Sequence, residues 1–266
     1  MKHTIYVLSL FGILALGSCE EEKISVKATR LHYYTESFEI SDLGFYPQLK
    51  VTYVYNSSGR VKKYTLQSYD PDTGSMEEQR FFTFFYSRDK VSRINGYQPG
   101  EDEPYVEYTY EYLSDGNVSK IMEQNHGSGI TSVANFAYSD NGSVKVSYVL
   151  SNGGAFEYEF DYSTGNVLSD KTTRGAQLCS NGQYTYDQNR NPFKELGYID
   201  FLLTNLSTNN KLTENVSYVG CAFPTLVPES FAYEYNDTGY PVSATTFYKS
   251  DGTVAKSRKD FFYGPE

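Results

Sequence analysis

The 266-residue sequence has no tryptophan and only three cysteines, three methionines and three histidines. Alanine and leucine are scarce, which argues against a helical bundle, since those residues dominate stable helices. Basic residues run short of acidic ones, 23 against 33, for a formal net charge of −10. That balance repels phosphate backbones and gives nucleic-acid binding no electrostatic support. A mean hydropathy of −0.53 excludes a polytopic helical membrane protein. What the chain has in abundance is aromatic rings, 27 Tyr and 17 Phe. A disordered chain is poor in such rings, so most of this one folds.

Only one long apolar run occurs, from Ile5 to Leu16 behind the basic start Met1-Lys2-His3. It is too short to span a ~30 Å hydrocarbon core as a helix and reads as a signal peptide. It ends in Leu16-Gly17-Ser18-Cys19, which resembles a bacterial lipobox, with Cys19 the residue that becomes acylated. The alternative is an ordinary signal peptide cut elsewhere, with Cys19 incidental. Acylation supplies enough buried CH₂ to make anchoring effectively permanent. The acidic Glu20-Glu21-Glu22 that follows resembles the surface-export signal of Bacteroidota-type lipoproteins. The expected organisation is a signal peptide over 1–18, an acylated tether over 19–24 and one domain over 25–266. The expected location is the outer membrane, lipid-anchored and surface-exposed, with a periplasm-facing anchor as the alternative.

The domain is built on a repeat. Tyr53-Val54-Tyr55 leads into Asn56-Ser57-Ser58-Gly59-Arg60-Val61: two aromatics flanking one residue, a polar stretch with Gly, then a β-branched residue. The pattern returns at Tyr110–Val118, Phe136–Val144, Phe160–Val167 and Tyr233–Tyr240. Copies without the glycine start at Phe84 and Tyr184. The glycines at 116, 142 and 165 imply a period of about 25 residues, room for two strands, one tight turn and one longer loop. Aromatics at i and i+2 share one face of a strand.

Seven such turns, with flanking strands at both ends, predict an all-β antiparallel up-and-down meander of about 14–16 strands. So many sequential strands need their edges managed, and closure into a barrel does that. Charged strand residues such as Lys62, Lys63, Glu157 and Glu159 interrupt both faces, so the expectation is a soluble barrel rather than a lipid-facing one. One segment departs from the pattern. Pro192 at a helix start, with Leu196, Ile199, Phe201, Leu202, Leu203 and Leu206 behind it, predicts one short helix near 192–206 that caps or plugs the barrel.

Together the lipobox, the Tyr-x-Tyr turns, the Asn191-Pro192-Phe193 step and the string Tyr233–Pro241 resemble Bacteroidota-type lipoproteins with a porin-like fold, over roughly residues 25 to 264. The hairpin unit is more distantly similar to the YD repeats of Rhs-type proteins. The resemblance implies a soluble barrel-like sheet and brings neither catalytic residues nor an activity.

Chemistry is hard to find in the residues themselves. His32 and His126 are too few and too scattered for a histidine metal site or a Ser-His-Asp triad. Asp70-Pro71-Asp72-Thr73-Gly74 begins like a calcium loop but lacks the later acidic ligand, and fits a hairpin turn better. No phosphate-binding glycine loop occurs. No cofactor, no metal and no catalytic residue is therefore expected. Cys179 and Cys221 pair in an oxidising compartment or stay as two separate thiols. The leading functional expectation is a non-enzymatic binding or scaffold module held to the membrane by its lipid. Its partner would be a glycan or an envelope protein, met through loops bearing Tyr69, Tyr97 and Tyr105. The alternatives are a glycan-active hydrolase using an Asp/Glu pair in the lumen, and a carrier of an apolar ligand inside the barrel.

Overall fold

Several hairpin turns here are held by a side chain as well as by the sheet. In the computed structural model, which describes residues 30–40, 44–199, 205–221, 229–248 and 255–264, the Asn56 carboxamide oxygen accepts the backbone N–H groups of both Ser58 and Arg60. Gly59 N–H bonds Asn56 O, and Asn56 N–H bonds Arg60 O. Gly59 sits at φ 75°, the left-handed region this three-residue loop requires of its last position. The turn at Asn236–Tyr240 repeats every one of these contacts.

Sixteen antiparallel strands joined in sequence close into one barrel. The first eight are β1 (Arg30–Ile40), β2 (Gly44–Tyr55), β3 (Val61–Asp70), β4 (Ser75–Ser87), β5 (Lys90–Tyr97), β6 (Val106–Tyr112), β7 (Val118–Asn125) and β8 (Thr131–Tyr138). The second eight are β9 (Ser143–Leu150), β10 (Ala155–Ser163), β11 (Asn166–Arg174), β12 (Gln177–Arg190), β13 (Asn209–Tyr218), β14 (Glu229–Tyr235), β15 (Pro241–Tyr248) and β16 (Ala255–Gly264). The seam joins β1 to β16, where Leu31 faces Tyr263.

The second tyrosine of most copies of the repeat has a job that explains it. Tyr55, Tyr86 and Tyr112 face Val61, Val91 and Val118 across their own turns. Their hydroxyls reach one hairpin back: Tyr55 to Leu31 O at 2.5 Å, Tyr86 to Val61 O and Tyr112 to Val91 O, both at 2.7 Å. Tyr138 donates to Val118 O, Tyr186 to Val167 O and Tyr263 to Pro241 O in the same way. In Tyr233-Glu234-Tyr235 the first ring donates to Lys211 O, while Tyr235 donates to the Asp187 carboxylate. Neighbouring hairpins are thus clasped to one another around the tight-turn rim, and each ring keeps a partner for its hydroxyl while burying its face.

Inside and outside are sharply different. Inward positions carry Val51, Tyr53, Phe82, Phe84, Ile94, Ile121, Phe136, Val146 and Phe160, all buried. They form two clusters that share Tyr108 and Tyr110 at their edges. On β10 the outward residues Glu157, Glu159 and Asp161 are exposed, alternating with inward Tyr158, Phe160 and Tyr162. Outward ion pairs recur around the wall: Arg93–Glu107, Lys120–Glu111, Lys145–Glu159 and Arg258–Asp260.

The segment expected as a helix near 192–206 is not one over its described part. Only a single 3-10 turn forms, Lys194–Leu196, and Gly197 in the left-handed conformation ends it. Residues 200–204 lie outside the described residues. The apolar spacing reports burial on several sides rather than a helical stripe. Phe193 packs on Tyr34 and Phe261, and Tyr198 on Phe84, side chains of β1, β16 and β4. Tyr110 of β6 donates to Ile199 O at 3.1 Å. The described parts of the segment, 192–199 and 205–206, thus pack into the lumen as an irregular strap.

The copy of the repeat starting at Tyr184 also differs from expectation: it makes no hairpin turn, and β12 runs on to Arg190. Asp187 takes the role of Asn56, accepting Asn189 N–H, but its second N–H comes from Asn210 rather than from the next residues. Tyr186 faces Lys211 as Tyr55 faces Val61. The strap is thus spliced into an otherwise ordinary turn, its neck closed by Asn191 N–H to Thr208 O and Asn191 Nδ2 to Ser207 O, both 2.9 Å.

Candidate functional site

The three tyrosines expected on binding loops, Tyr69, Tyr97 and Tyr105, stand in three different surroundings. Tyr69 lies in β3 beside a four-residue turn, and Tyr46 donates to its hydroxyl at 3.1 Å. Tyr97 ends β5 on the outer wall, stacked on Phe81 with centroids 4.9 Å apart, while Lys63 sits over Phe81. Tyr105 turns inward against Phe82, under the Arg80 guanidinium, and burial raises its hydroxyl pKa. Phe81 and Phe82 are sequence neighbours on opposite faces, so Tyr97 and Tyr105 are separated by the thickness of the sheet. Cys19 lies outside the described residues.

Cys179 and Cys221 are joined by a disulfide, with Cα atoms 4.8 Å apart. It ties the loop-rim ends of β12 and β13, where Val219 N–H also bonds Cys179 O. Closing a chain of this length stabilises by about 4 kcal/mol on the loop-entropy estimate. Thiol titration of the unfolded, unreduced 20–266 fragment should find neither cysteine reactive. Two reactive thiols per chain would contradict the bridge.

The inner wall of β10–β13 carries the clearest concentration of chemistry. A cavity of about 410 Å³ is lined by Tyr158, Phe160, Asp170, Thr172, Ser180, Tyr184, Lys211, Glu214, Val216 and Tyr218. Its upper residues Thr172, Ser180 and Tyr218 lie side by side across three strands, close to the loop rim. Below it the strap packs Ile199 and Leu206 against the second core cluster, which includes Phe160.

Two backbone devices build this wall. Gly182 pairs with Asp170 on one side and Val216 on the other. A Cβ there would stand 2.1 Å from Asp170 Oδ1 and 2.6 Å from the Tyr184 hydroxyl. This glycine serves space rather than an unusual φ: it clears the floor on which the Tyr184 hydroxyl donates to Asp170 Oδ1 at 2.6 Å. The second device is the register shift between Thr185 and Tyr186. Lys211 and Glu214 are three residues apart and would point to opposite faces in a regular strand. The bulge turns both inward, where they pair at 2.8 Å.

Electrostatically the wall is acidic, with Asp170 and Glu214 against Lys211. Burial raises the Asp170 carboxyl above its ordinary value, Glu214 adds to this, and the Tyr184 hydrogen bond and Lys211 work against it. Burial raises the Tyr184 hydroxyl strongly, reinforced by Asp170. Lys211 Nζ lies 4.4 Å from the centroid of the Tyr184 ring. Sequence reasoning missed this site because acids are too numerous to select a pair. The available signal was Asn181-Gly182, a turn-like dipeptide in the middle of what the repeat makes a strand.

No protein-family profile matches the chain, and no curated protein matches it. Solved structures do. A porin-like protein from Bacteroides uniformis superposes with a TM-score of 0.58 at 14% identity, covering 88% of this chain and 98% of the other. A porin-like protein from Bacteroides vulgatus gives 0.47 at 13% identity, over 90% and 100% of the two chains. With the first of these the chain shares its fold, a closed antiparallel all-β barrel.

Proposed function

We propose that this protein is a non-enzymatic, lipid-anchored envelope barrel that stands in water and binds a small glycan unit in its lumen. The observation that carries this is the cavity of about 410 Å³ on the inner wall, faced by the rings of Tyr158, Tyr184 and Tyr218. Aromatic faces with hydroxyl, carboxylate and ammonium groups between them suit sugar rings, which are apolar on their faces and polar at their edges.

The wall chemistry reverses that of a channel. A membrane barrel turns apolar residues to lipid and polar ones to a wet lumen. Here the lumen holds the aromatic core and the strap, while ion pairs ring the outside. A Lys or Arg at the bilayer midplane costs about 2–4 kcal/mol, and several would be needed here. Attachment to the membrane then falls to Cys19, and the acidic residues after it favour an outward-facing anchor.

A hydrolase using Asp170 and Glu214 is the rival reading, and the raised Asp170 carboxyl favours it. Glycoside hydrolysis needs two carboxyl groups flanking the scissile bond. These two project from the same wall, and Glu214 is already paired with Lys211, so both would lie on one side of a bound sugar. Binding without turnover fits better.

A glycan array probed with the mature chain tests the proposal. Binding of at least one glycan is expected, weakened about tenfold or more by Tyr158→Ala or Tyr218→Ala and unchanged by Tyr97→Ala on the outer wall. Loss on Tyr97→Ala with no effect of the lumen pair would move the site outside. Turnover of any bound glycan would favour the hydrolase.

A further inference from the structure

The charges in the lumen cavity do not balance. Two carboxylates, Asp170 and Glu214, face one amine, Lys211. Lys211 is committed to Glu214 at 2.8 Å, and among the described residues no lysine or arginine forms an ion pair with Asp170. Asp170 instead accepts the Tyr184 hydroxyl. A half-buried carboxylate with a neutral partner is stabilised less than one facing a cation.

The same cavity already shows how it handles an ammonium group. Lys211 Nζ rests over the Tyr184 ring and on the Glu214 carboxylate at once, ring face on one side and anion on the other. Tyr158, Phe160 and Tyr218 supply further ring surface around the remaining space. The volume, about 410 Å³, lies within the range of ligand pockets and suits a unit of one or two sugar rings. Gly182 leaves the room that the Asp170 carboxylate and the Tyr184 hydroxyl occupy, which holds Asp170 against the cavity.

We infer that the lumen cavity is selective for a glycan unit bearing a free, protonated amine, whose ammonium group pairs with Asp170 while its ring lies against the tyrosines. This rests on the lumen being the binding site proposed above. A neutral N-acetylated sugar would leave Asp170 without a cation and would place an acetyl group in the space the ammonium needs. An anionic sugar would meet an uncompensated carboxylate.

Calorimetric titration of the mature chain decides this, with three probes at a pH where the amine is charged. The probes are the β-1,4-linked glucosamine disaccharide, its di-N-acetyl counterpart and the equivalent glucose disaccharide. Binding of the amine form at least tenfold tighter than either neutral form is the expected result. Asp170→Asn should reduce amine binding to the neutral level, and Asp170→Glu should restore part of it. The comparison of probes on the unaltered protein needs no variant, so it stands even if a substitution disturbs folding. Equal binding of all three, insensitive to Asp170→Asn, would overturn the amine preference while leaving the lumen site intact. Binding of none of them, together with an empty glycan array, would overturn both.

Discussion

Phe84→Ala is expected to lower the unfolding free energy by about 3–5 kcal/mol, the usual cost of truncating a buried phenylalanine. Phe84 is 5% exposed and stands at the junction of wall and strap, 5.9 Å from the Tyr64 ring and 5.1 Å from the Tyr198 ring. Its removal takes a contact from the sheet and another from the segment that fills the lumen. For a domain of this size, such a loss lowers the melting temperature by roughly 10 °C. Combining it with Tyr198→Ala should cost less than the sum of the two, by about 1 kcal/mol, because the rings lose the same contact. Additive effects would show that the strap does not pack on the wall. A Phe84→Ala change below about 1 kcal/mol would show that the lumen is not a core.

The second large effect is alkaline. Burial pushes the hydroxyls of Tyr86, Tyr112 and Tyr138 up to about 12, and those of Tyr53 and Tyr64 higher still. The folded chain therefore holds these protons more tightly than the unfolded chain, whose tyrosines titrate near 10. Stability from this source is fully present below pH ~10 and is lost as pH climbs toward 12, because the unfolded state sheds its protons first. The melting temperature should hold steady from neutral pH to about 10 and then fall steeply. Tyrosinate absorbance should lag the titration of free tyrosine and then rise together with loss of the strand signal. A gradual rise from pH ~10 with the barrel intact would mean that the clasping hydroxyls are open to water.

Much of this fold was legible because its period is local. Tyr55, the Asn56–Arg60 turn and Val61 lie within seven consecutive residues, and repetition of that group predicts hairpins in series. The reason for the second tyrosine was not legible. Its hydroxyl partner is a carbonyl about twenty residues earlier, brought near by register alone. The segment after Arg190 misled for a physical reason. Leu196, Ile199 and Leu206 are apolar because the strap is surrounded by core on several sides, and spacing cannot tell that from a helix stripe. The candidate site was least legible of all. Asp170, Gly182, Lys211 and Glu214 come from three strands, and a bulge that the sequence does not announce turns Lys211 and Glu214 to the same face.

The most direct test of the proposed inside-out barrel removes the proposed lipid attachment site. The mature chain carrying Cys19→Ala should leave the membrane fraction and sediment in buffer without detergent as a monomer rich in strand. Added to a planar bilayer, it should carry no current, since its outer wall bears ion pairs and its lumen is obstructed by the aromatic core and the strap. A protein that stays in the membrane after a high-pH wash, requires detergent and opens a steady conductance would contradict this, and would make the barrel a channel.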